Sequence, residues 1–243
     1  MGKIFAILGD IHSNIDALEV VLADAREQGA TDYLCTGDIV GYNAAPHECL
    51  QRLAELDCPA VMGNHDFYVS QMISLEEFNE AAAFVVQWTR SKLSHGELEY
   101  LKTLPFSRTQ LGFSVVHSTW DRPEQFGYVF DNFQAEANFL HQKTPICFHG
   151  HTHCPIIYER SMNGVCHVDA ADVQLAPGKK YFINVGSVGQ PRDLDPRASY
   201  VLFDQAAKTV RFRRLEYDIE RAQARVREAG LPERLAARLA TGQ

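Results

Sequence analysis

Residues 3–14 run Lys-Ile-Phe-Ala-Ile-Leu-Gly-Asp-Ile-His-Ser-Asn, an apolar run that is followed by a polar loop. The apolar part, residues 3–8, predicts a buried strand. Asn14 is a good N-cap for the amphipathic helix that the next residues predict, and a glycine ends that helix. Asp10 and His12 therefore fall in a strand-to-helix loop. In open α/β sheets, ligands bind at this edge.

The same succession of strand and polar loop recurs further along the chain. Residues 33–36 and 60–62 predict two more strands, which end in Gly37-Asp38 and in Gly63-Asn64-His65-Asp66. A helix predicted over residues 46–56 separates them and has a proline in its first turn. Strands that alternate with helices at this spacing favour an α/β sheet with parallel pieces.

The remaining segments predict further helices and strands. Helices are expected over residues 74–92, where Ser74 and Glu77 form a capping box, and over 97–104, 133–141, 218–229 and 233–240. Strands are expected over 113–116, 145–148 and 181–183, with hairpins at 156–168 and 200–215. We see no repeat or linker, so we expect one domain over residues 1–243, with a C-terminal hairpin and helices across 199–240.

Composition limits the classes of protein that this chain can represent. Its 243 residues are 46% hydrophobic, which is enough for one substantial core. The formal net charge is −8 and the basic residues are scattered, which argues against general nucleic-acid binding. No apolar stretch approaches membrane-spanning length, and the 6 cysteines form no Cys-x-x-Cys pair. Without a signal peptide before the first strand, a cytoplasmic location is expected, and homo-oligomerisation is left open.

Residue types that bind metals follow five of the predicted strands, and two of them lie in the stretch His149-Gly150-His151-Thr152-His153. The candidates are Asp10, His12, Asp38, Asn64, His65, His117, His151 and His153. Taken singly, each has an ordinary structural role as a turn residue, a helix cap or a hydrogen-bonded histidine. Taken together they offer carboxylate, amide and imidazole without thiolate. That set suits Mn, Fe, Ni, Co or Zn rather than a cysteine-rich structural zinc site.

The order of these motifs resembles the calcineurin-like metallophosphoesterase superfamily. The matching blocks are Asp-x-His, Gly-Asp, Gly-Asn-His-Asp, a lone strand-end His and Gly-His-x-His, in sequence from Asp10 to His153. Residues 184–193 and 195–200 and the tail Gly230-Leu231-Pro232 extend the likeness to its small bacterial and archaeal phosphodiesterase branch. The resemblance implies an α/β fold, a four-layer α/β/β/α sandwich of two mixed β-sheets flanked by helices.

Carried over to this chain, the resemblance implies a site for two divalent transition-metal ions. Asp10, His12 and His153 would hold the first ion, Asn64, His117 and His151 the second, and Asp38 would bridge both. Two cations held roughly 3.5–4 Å apart acidify a bridging water, whose hydroxide form attacks phosphorus in line with the leaving oxygen. The implied activity is metal-dependent phosphoric ester hydrolysis, with a small phosphodiester or nucleotide-like substrate.

Other activities on the same fold remain as alternatives. They are hydrolysis of dinucleoside polyphosphates, a phosphomonoesterase or protein phosphatase activity, and a non-catalytic interaction module. The module is disfavoured because His65 and the complete ligand set are present. Protein serine/threonine phosphatases of the superfamily carry Asp-Arg-Gly after the Gly-Asp block, and this chain does not. Ser118 also follows His117 where the family often has glycine, which affects substrate preference more than metal binding.

Several residues beside the motifs have two interpretations each. His65 is favoured as the catalytic residue, protonating the leaving alkoxide or stabilising phosphoryl charge, against a structural role at a helix start. Asp66 either orients His65 or caps the local helix. Asn14 and Arg192 are candidate substrate-binding residues. Arg192 would pair either with a substrate phosphate or with a carboxylate such as that of Asp193.

An aromatic-rich segment lies between the lone strand-end histidine and the next predicted strand. Residues 120–130 include Trp120, Phe126, Tyr128 and Phe130. Loops that follow catalytic strands often determine specificity, so this segment is a candidate substrate wall. The alternative is that these rings pack the loop onto the rest of the protein.

Overall fold

The computed structural model describes residues 2–71, 73–76, 78 and 80–243. The strands form two mixed β-sheets. The first sheet contains β1 (Ile4–Leu8), β2 (Asp32–Cys35), β8 (Val173–Gln174), β10 (Ala198–Asp204) and β11 (Thr209–Leu215), in the order β2-β1-β10-β11-β8. The second contains β3 (Ser107–Gln110), β4 (Phe113–Val116), β5 (Ile146–His149), β6 (Ile156–Ser161), β7 (Gly164–Asp169) and β9 (Lys180–Asn184), in the order β3-β4-β5-β9-β6-β7.

Helices connect and flank these strands. They are α1 (Ile15–Glu27), α2 (Pro46–Glu55), α3 (Asn64–Ser70), α4 (Glu80–Lys92), α5 (His95–Lys102), α6 (Asn132–His141), α7 (Ile219–Glu228) and α8 (Glu233–Leu239). As predicted, Asn14 caps α1, because its side-chain oxygen accepts a hydrogen bond from Ala17 N. None of the helices in the described part of the chain is both long enough and apolar enough to cross a bilayer.

The main core lies between the two sheets. Side chains alternate along β1, so Phe5 and Ile7 point to the second sheet while Ala6 and Leu8 pack toward α1. The Phe113 ring lies 5.1 Å from Phe5, which belongs to the opposite sheet. Such interleaved apolar side chains are what hold two sheets face to face.

The second sheet is covered on its other face by α6. Phe139 of this helix packs with Phe182 of β9 at a ring distance of 6.4 Å, and Cys147 of β5 belongs to the same cluster. With α1 on the outer face of the first sheet, the layers run helix, sheet, sheet, helix. The structure therefore confirms the predicted sandwich of two mixed β-sheets flanked by helices.

The predicted strand over residues 60–62 is wrong. In the described part of the chain, this segment forms one isolated parallel bridge to Cys35 of β2. Cys35 N donates to Pro59 O at 2.9 Å, and Val61 N donates to Cys35 O at 3.1 Å. Because β2 ends at Cys35 and α3 begins at Asn64, the pairing does not extend beyond this bridge.

The structure also differs from the prediction at the start of one helix and at two short strands. The helix expected over residues 74–92 is α4, which begins at Glu80, and Glu77 of the predicted capping box lies outside the described residues. Two strands were not predicted. β3 is Ser-Arg-Thr-Gln, which lacks an apolar pattern, and β8 has only 2 residues.

Candidate metal centre

The predicted ligands lie at one edge of the two sheets, where the parallel strands end. β1 and β2 run parallel in the first sheet, and β4, β5 and β9 run parallel in the second. The ligand-bearing segments are the loops after β1, β2, β4 and β5 and the first turn of α3. Because these ends meet, His12 and His153 become neighbours although 141 residues separate them.

One group of buried side chains contains Asp10, His12, Asp38 and His153, whose ligand atoms all lie within 4.8 Å of one another. His12 Nε2 is 3.1 Å from His153 Nε2 and 3.5 Å from Asp38 Oδ2. His153 Nε2 is 3.2 Å from Asp10 Oδ1. Two imidazole nitrogens and two carboxylates that converge on one point suit a divalent transition metal.

A second group contains Asp38, His117 and His151, and their ligand atoms also lie within 4.8 Å of one another. His117 Nε2 is 3.4 Å from Asp38 Oδ2 and 3.1 Å from His151 Nδ1. Asn64 joins this group, because its side-chain oxygen is 3.2 Å from His117 Nε2. The structure thus brings all seven predicted ligands together, in two groups that share Asp38.

Main-chain carbonyl groups orient three of the four histidines. The Nδ1 donors and their acceptors are His12 with Val40 O, His117 with Thr36 O, and His153 with Gln190 O. A ring whose Nδ1–H donates to a carbonyl keeps its lone pair on Nε2, the atom that points into the group. Such outer partners fix both the tautomer and the orientation of a ligand histidine.

Burial and mutual charge set the protonation of these groups. Burial lowers the pKa of His12 and of His153 well below the ordinary histidine value, so both rings are neutral at neutral pH. Burial raises the pKa of Asp10 to about 6. Burial also opposes the charge on His117, but the adjacent Asp38 carboxylate outweighs it and raises the pKa of His117 to about 9. The Asp38 carboxylate thus stabilises positive charge at this point, as it would stabilise a bound cation.

Backbone strain is concentrated at the same residues. The φ angles are positive at Asp10 (50°), His12 (47°), Asp38 (54°), His151 (70°) and His153 (61°). Non-glycine residues in this region cost of order 1–3 kcal/mol each, and the surrounding structure must hold them there. Here the loops after β1 and β2 brace each other, since Asp10 N donates to Gly37 O at 3.1 Å and His12 N donates to Asp38 O at 2.9 Å.

Gly150 lets the two groups approach each other. A Cβ atom at this position would lie 2.1 Å from Asp10 Oδ2, so no other residue fits without displacing the carboxylate. Asp10 accepts a hydrogen bond from His151 N at 3.1 Å. The Asp10 carboxylate of the first group is therefore hydrogen-bonded to the backbone of His151, a residue of the second group.

His65 lies beside the centre, at the start of α3. Its backbone N donates to Asp38 Oδ1 at 2.8 Å, and its ring centroid is 4.8 Å from that of His12 and 4.3 Å from that of Tyr42. Nδ1 of this ring is buried and has no hydrogen-bond partner among the described residues. Burial lowers the pKa of His65 below its ordinary value.

Asp66 holds the neighbouring loop and does so through its carboxylate. One oxygen accepts hydrogen bonds from Ile39 N and Val40 N at 2.9 and 3.1 Å, and the other accepts one from Gly63 N at 3.2 Å. Of the two predicted roles, the contacts favour capping of α3. They also tie the loop that carries Asp38 to the helix that carries Asn64.

Arg192 extends from the loop after β9 toward the centre. Its Nη2 donates to Tyr42 OH at 3.2 Å and to Gln190 Oε1 at 3.1 Å, and its guanidinium lies 5.5 Å from the Tyr42 ring centroid. Asp193, the carboxylate proposed as an alternative partner, forms its ion pair with Arg214. Among the described residues no carboxylate pairs with Arg192, which favours the interpretation that it meets a substrate phosphate.

Asn14 has both ends of its carboxamide engaged within the protein. In addition to the cap of α1, its Nδ2 donates to Gly189 O at 3.0 Å. These contacts fix the loop that leads to Arg192 against the first helix. They favour a positioning role for Asn14 over the predicted direct contact with substrate.

Some aromatic side chains of residues 120–130 pack the loop onto the protein, and others are placed to form a substrate wall. Trp120 Nε1 donates to Cys147 Sγ at 3.0 Å, and the Phe126 ring is 5.8 Å from Phe67, so both of these rings pack the loop down. Tyr128 instead stacks on His151 at 4.1 Å, and Phe130 stacks on Tyr128 at 5.4 Å. This aromatic column, His151-Tyr128-Phe130, runs from the centre to the surface, where Phe130 is 63% exposed.

Comparison with known proteins agrees with the fold and the site. Residues 4–208 match the model of the calcineurin-like phosphoesterase superfamily domain, and the chain belongs to this superfamily. The family and the buried His/Asp cluster together indicate that the chain binds divalent metal. The resemblance seen in the sequence motifs is thereby confirmed.

Individual relatives match over the whole chain. The uncharacterized protein MJ0912 of Methanocaldococcus jannaschii is 36% identical over 245 residues, covering 99% of each chain. The crystal structure of a metallophosphoesterase from Sphaerobacter thermophilus is 39% identical with a TM-score of 0.88, and 100% of each chain is covered. The hypothetical protein PH1004 of Pyrococcus horikoshii OT3 is 21% identical with a TM-score of 0.80 over 99% of each chain, and it shares the fold.

Proposed function

We propose that this chain is a two-metal phosphoesterase that hydrolyses a phosphodiester or a nucleotide-like phosphate. The observation that carries this proposal is the position of Asp38 between two groups of ligands. Its Oδ2 lies 3.5 Å from His12 Nε2 and 3.4 Å from His117 Nε2. A carboxylate shared in this way is the usual bridge of a two-metal hydrolytic site.

The donor set fits two divalent ions of the Mn, Fe, Ni, Co or Zn type. Asp10, His12 and His153 would hold one ion, Asn64, His117 and His151 the other, and Asp38 both. When bound, the ions neutralise phosphoryl oxygens and lower the pKa of the attacking water. This accounts for the binding of an anion by a chain with a net charge of −8.

Two side chains of the protein act on the substrate directly in this proposal. Arg192 binds a phosphoryl oxygen, since no described carboxylate competes for its guanidinium. His65 faces the leaving oxygen. Because burial lowers its pKa, we expect the neutral ring to donate an N–H hydrogen bond that stabilises charge on that oxygen.

The aromatic column favours a nucleotide-like substrate over a simple alkyl phosphate. Tyr128 is 49% exposed and Phe130 is 63% exposed, although both are stacked in a line that ends at His151. Exposed aromatic faces beside a phosphate site offer a stacking surface for a base, and such stacking contributes about 1–3 kcal/mol per base.

The proposal is tested by elemental analysis of the purified protein and by a substrate panel. The panel contains cyclic nucleotides, dinucleoside polyphosphates, a model diester and a model monoester. We expect up to two bound transition-metal ions per chain and the highest kcat/KM on a diester or nucleotide. Asp38→Asn should abolish turnover and reduce metal content, with Asp57→Asn in an exposed turn as the matched control.

Two results would refute the proposal. One is a protein that binds no transition metal and cleaves no member of the panel, which would revive the interaction module. The other is an Asp38→Asn variant that keeps both its metal content and its turnover.

A further inference from the structure

A cavity of about 580 Å³ opens beside His65, between α3, α4 and α8. Asn64 and His65 are among the residues that line it, so the cavity adjoins the second group of ligands. Its volume lies within the range of roughly 300–1,000 Å³ that is typical of small-molecule sites. The cavity is therefore large enough for part of a substrate whose phosphate is held at the centre.

The walls of this cavity differ in chemistry. Apolar side chains form part of the lining, among them Val85 and Val86 of α4 and Leu235 of α8. Arg234 and Arg238, which are one helical turn apart on α8, also line it. A lining of apolar side chains and two guanidinium groups suits a molecule that has a flat or apolar body and an anionic end.

The two arginines belong to a larger cluster of cations that lacks side-chain carboxylate partners. Burial and the proximity of Arg192 and Arg234 lower the pKa of Arg238. Arg238 Nε donates to an oxygen of Gln243, the last residue of the sequence, and no side-chain carboxylate in the described part of the chain forms an ion pair with Arg234 or Arg238. By contrast, Arg227 at the end of the preceding helix is paired with Glu233 at 2.7 Å.

Three neighbouring guanidinium groups with no side-chain carboxylate paired to them repel one another, and a bound anion relieves that repulsion. Arginine is also the residue that binds phosphate most specifically, through parallel N–H donors. Arg192 is assigned above to the phosphoryl group that is cleaved. Arg234 and Arg238 are thus left for a second anionic group further along the cavity.

We propose that this cavity binds the leaving-group side of the substrate and that Arg234 and Arg238 bind a second phosphate carried by that leaving group. The substrate class is then a phosphodiester whose leaving alcohol is a nucleotide, so that a nucleoside monophosphate is released. The assignment to the leaving group rests on the proposed function of His65, which lines the cavity and is proposed to act on the leaving oxygen.

The kinetic test compares two substrates with the same scissile bond. One is a dinucleoside monophosphate, and the other carries an additional terminal phosphate on the leaving nucleoside. We expect the wild type to prefer the phosphorylated substrate. In the double variant Arg234→Gln/Arg238→Gln this preference in kcat/KM should fall about tenfold or more, mainly through KM, since tenfold corresponds to about 1.4 kcal/mol.

Two control variants distinguish loss of the two positive charges in the cavity from a general effect on folding or net charge. Arg227→Gln on α7 removes one positive charge from a surface ion pair and should keep the preference of the wild type. Arg234→Lys/Arg238→Lys keeps both charges and should retain part of the preference, because lysine binds phosphate as a point charge.

A binding measurement distinguishes failure of this inference from failure of the proposed function. The metal-loaded protein is saturated with inorganic phosphate and titrated calorimetrically with a nucleoside monophosphate. The inference is supported, even if no ester is cleaved, when the nucleotide binds about tenfold more weakly to Arg234→Gln/Arg238→Gln and with unchanged affinity to Arg227→Gln. Equal binding by all variants, or an active wild type without preference for the phosphorylated substrate, overturns the inference.

Discussion

At the scale of single residues, the centre depends on side chains that serve two neighbours at once. Asp38 belongs to both groups of ligands, and Asp10 accepts a hydrogen bond from the backbone of His151. Two histidines of one loop belong to different groups. His153 lies beside Asp10 in the first group, and His151 lies beside His117 in the second. The loop at residues 150–153 therefore joins the two halves of the centre.

Because the two histidines belong to different groups, replacement of each one should remove a different metal ion. We expect His151→Ala and His153→Ala each to retain about one tightly bound ion, because each removes a ligand from a different ion. The double variant should retain none. The measurement is elemental analysis after gel filtration, with circular dichroism to show that each variant is folded.

The double variant decides between the two possible arrangements. If both histidines bound the same ion, the double variant would keep one ion, as each single variant does. Cys154→Ala, which changes the next residue along the loop, is a control that should leave the metal content of the wild type.

Replacement of His65 should affect turnover without removing metal. The His65 side chain belongs to neither group of ligand atoms. We expect His65→Ala to lower kcat about 10²–10³-fold on substrates with poor leaving groups, the range for loss of one hydrogen-bond donor to developing charge. The loss should shrink as the leaving group becomes more acidic. Steady-state kinetics on an aryl diester series measure this, and a uniform loss across the series would assign His65 to phosphate binding instead.

The candidate ligands could be selected from the sequence because each lies in a short polar motif that follows an apolar segment. Tyr42, Arg234 and Arg238 were not predicted as site residues. Tyr42 is adjacent to Gly41 in one of the motifs, but its contacts with His65 and Arg192 depend on the packing of three loops. The arginines lie on a C-terminal helix, and only tertiary packing brings that helix to the site.

At the scale of elements, Asp24 joins the first helix to the C-terminal hairpin. The Tyr200 hydroxyl of β10 donates to Asp24 Oδ2 at 2.6 Å, and Arg213 of β11 donates to both carboxylate oxygens, at 3.0 and 2.7 Å. Burial tends to raise the pKa of Asp24, but the donors outweigh it and the pKa is lowered. α1 is held over the strands by this contact and by apolar packing.

We expect Asp24→Asn to destabilise the fold at neutral pH by about 1 kcal/mol, which corresponds to a fall of about 2–4 °C in Tm. A carboxyl whose pKa is lower in the folded state contributes stability above its unfolded value, about 3.9, and loses it as pH falls through the folded value. The difference between wild type and variant should therefore vanish in strong acid. Thermal melts between pH 7 and pH 3 measure this, and a difference independent of pH would exclude a role for the charge.

The contrast between β1 and the segment at residues 60–62 explains why some elements could be predicted and others could not. β1 has a run of apolar side chains that are buried on both faces, and this pattern is local. Residues 60–62 are equally apolar and buried, but their pairing with β2 is limited to one bridge because β2 ends at Cys35 and α3 begins at Asn64. Burial is visible in the sequence, whereas the number of residues that pair with a distant strand is not.

At the scale of the whole molecule, we expect metal binding and stability to be coupled. Without cations, buried carboxylates and imidazoles face each other, and five of the predicted ligands have left-handed backbone conformations. A ligand present at 100 times its Kd stabilises the folded state by about 2.7 kcal/mol. We therefore expect a chelator to lower Tm by about 5–10 °C, since about 1 kcal/mol corresponds to 2–4 °C for a chain of this size.

The measurement is differential scanning calorimetry with and without chelator, followed by addition of Mn²⁺, Ni²⁺ or Zn²⁺ to restore Tm. The double variant of His151 and His153 is the control, because its Tm should not respond to the chelator. An identical Tm for the wild type before and after verified metal removal would contradict the coupling.

The hydrogen bonds between loops that are distant in sequence also affect when the metal centre can form during translation. Ser187 Oγ donates to Asp10 O, and Asn14 Nδ2 donates to Gly189 O, so the loop after β1 is held by a segment that is synthesised much later. Asp10 is translated 141 residues before His151. A ribosome-bound nascent chain thus carries an incomplete set of candidate ligands until most of the second sheet has emerged. We therefore expect metal to be acquired late in biosynthesis, and chains that end before His151 to retain less metal than the full chain.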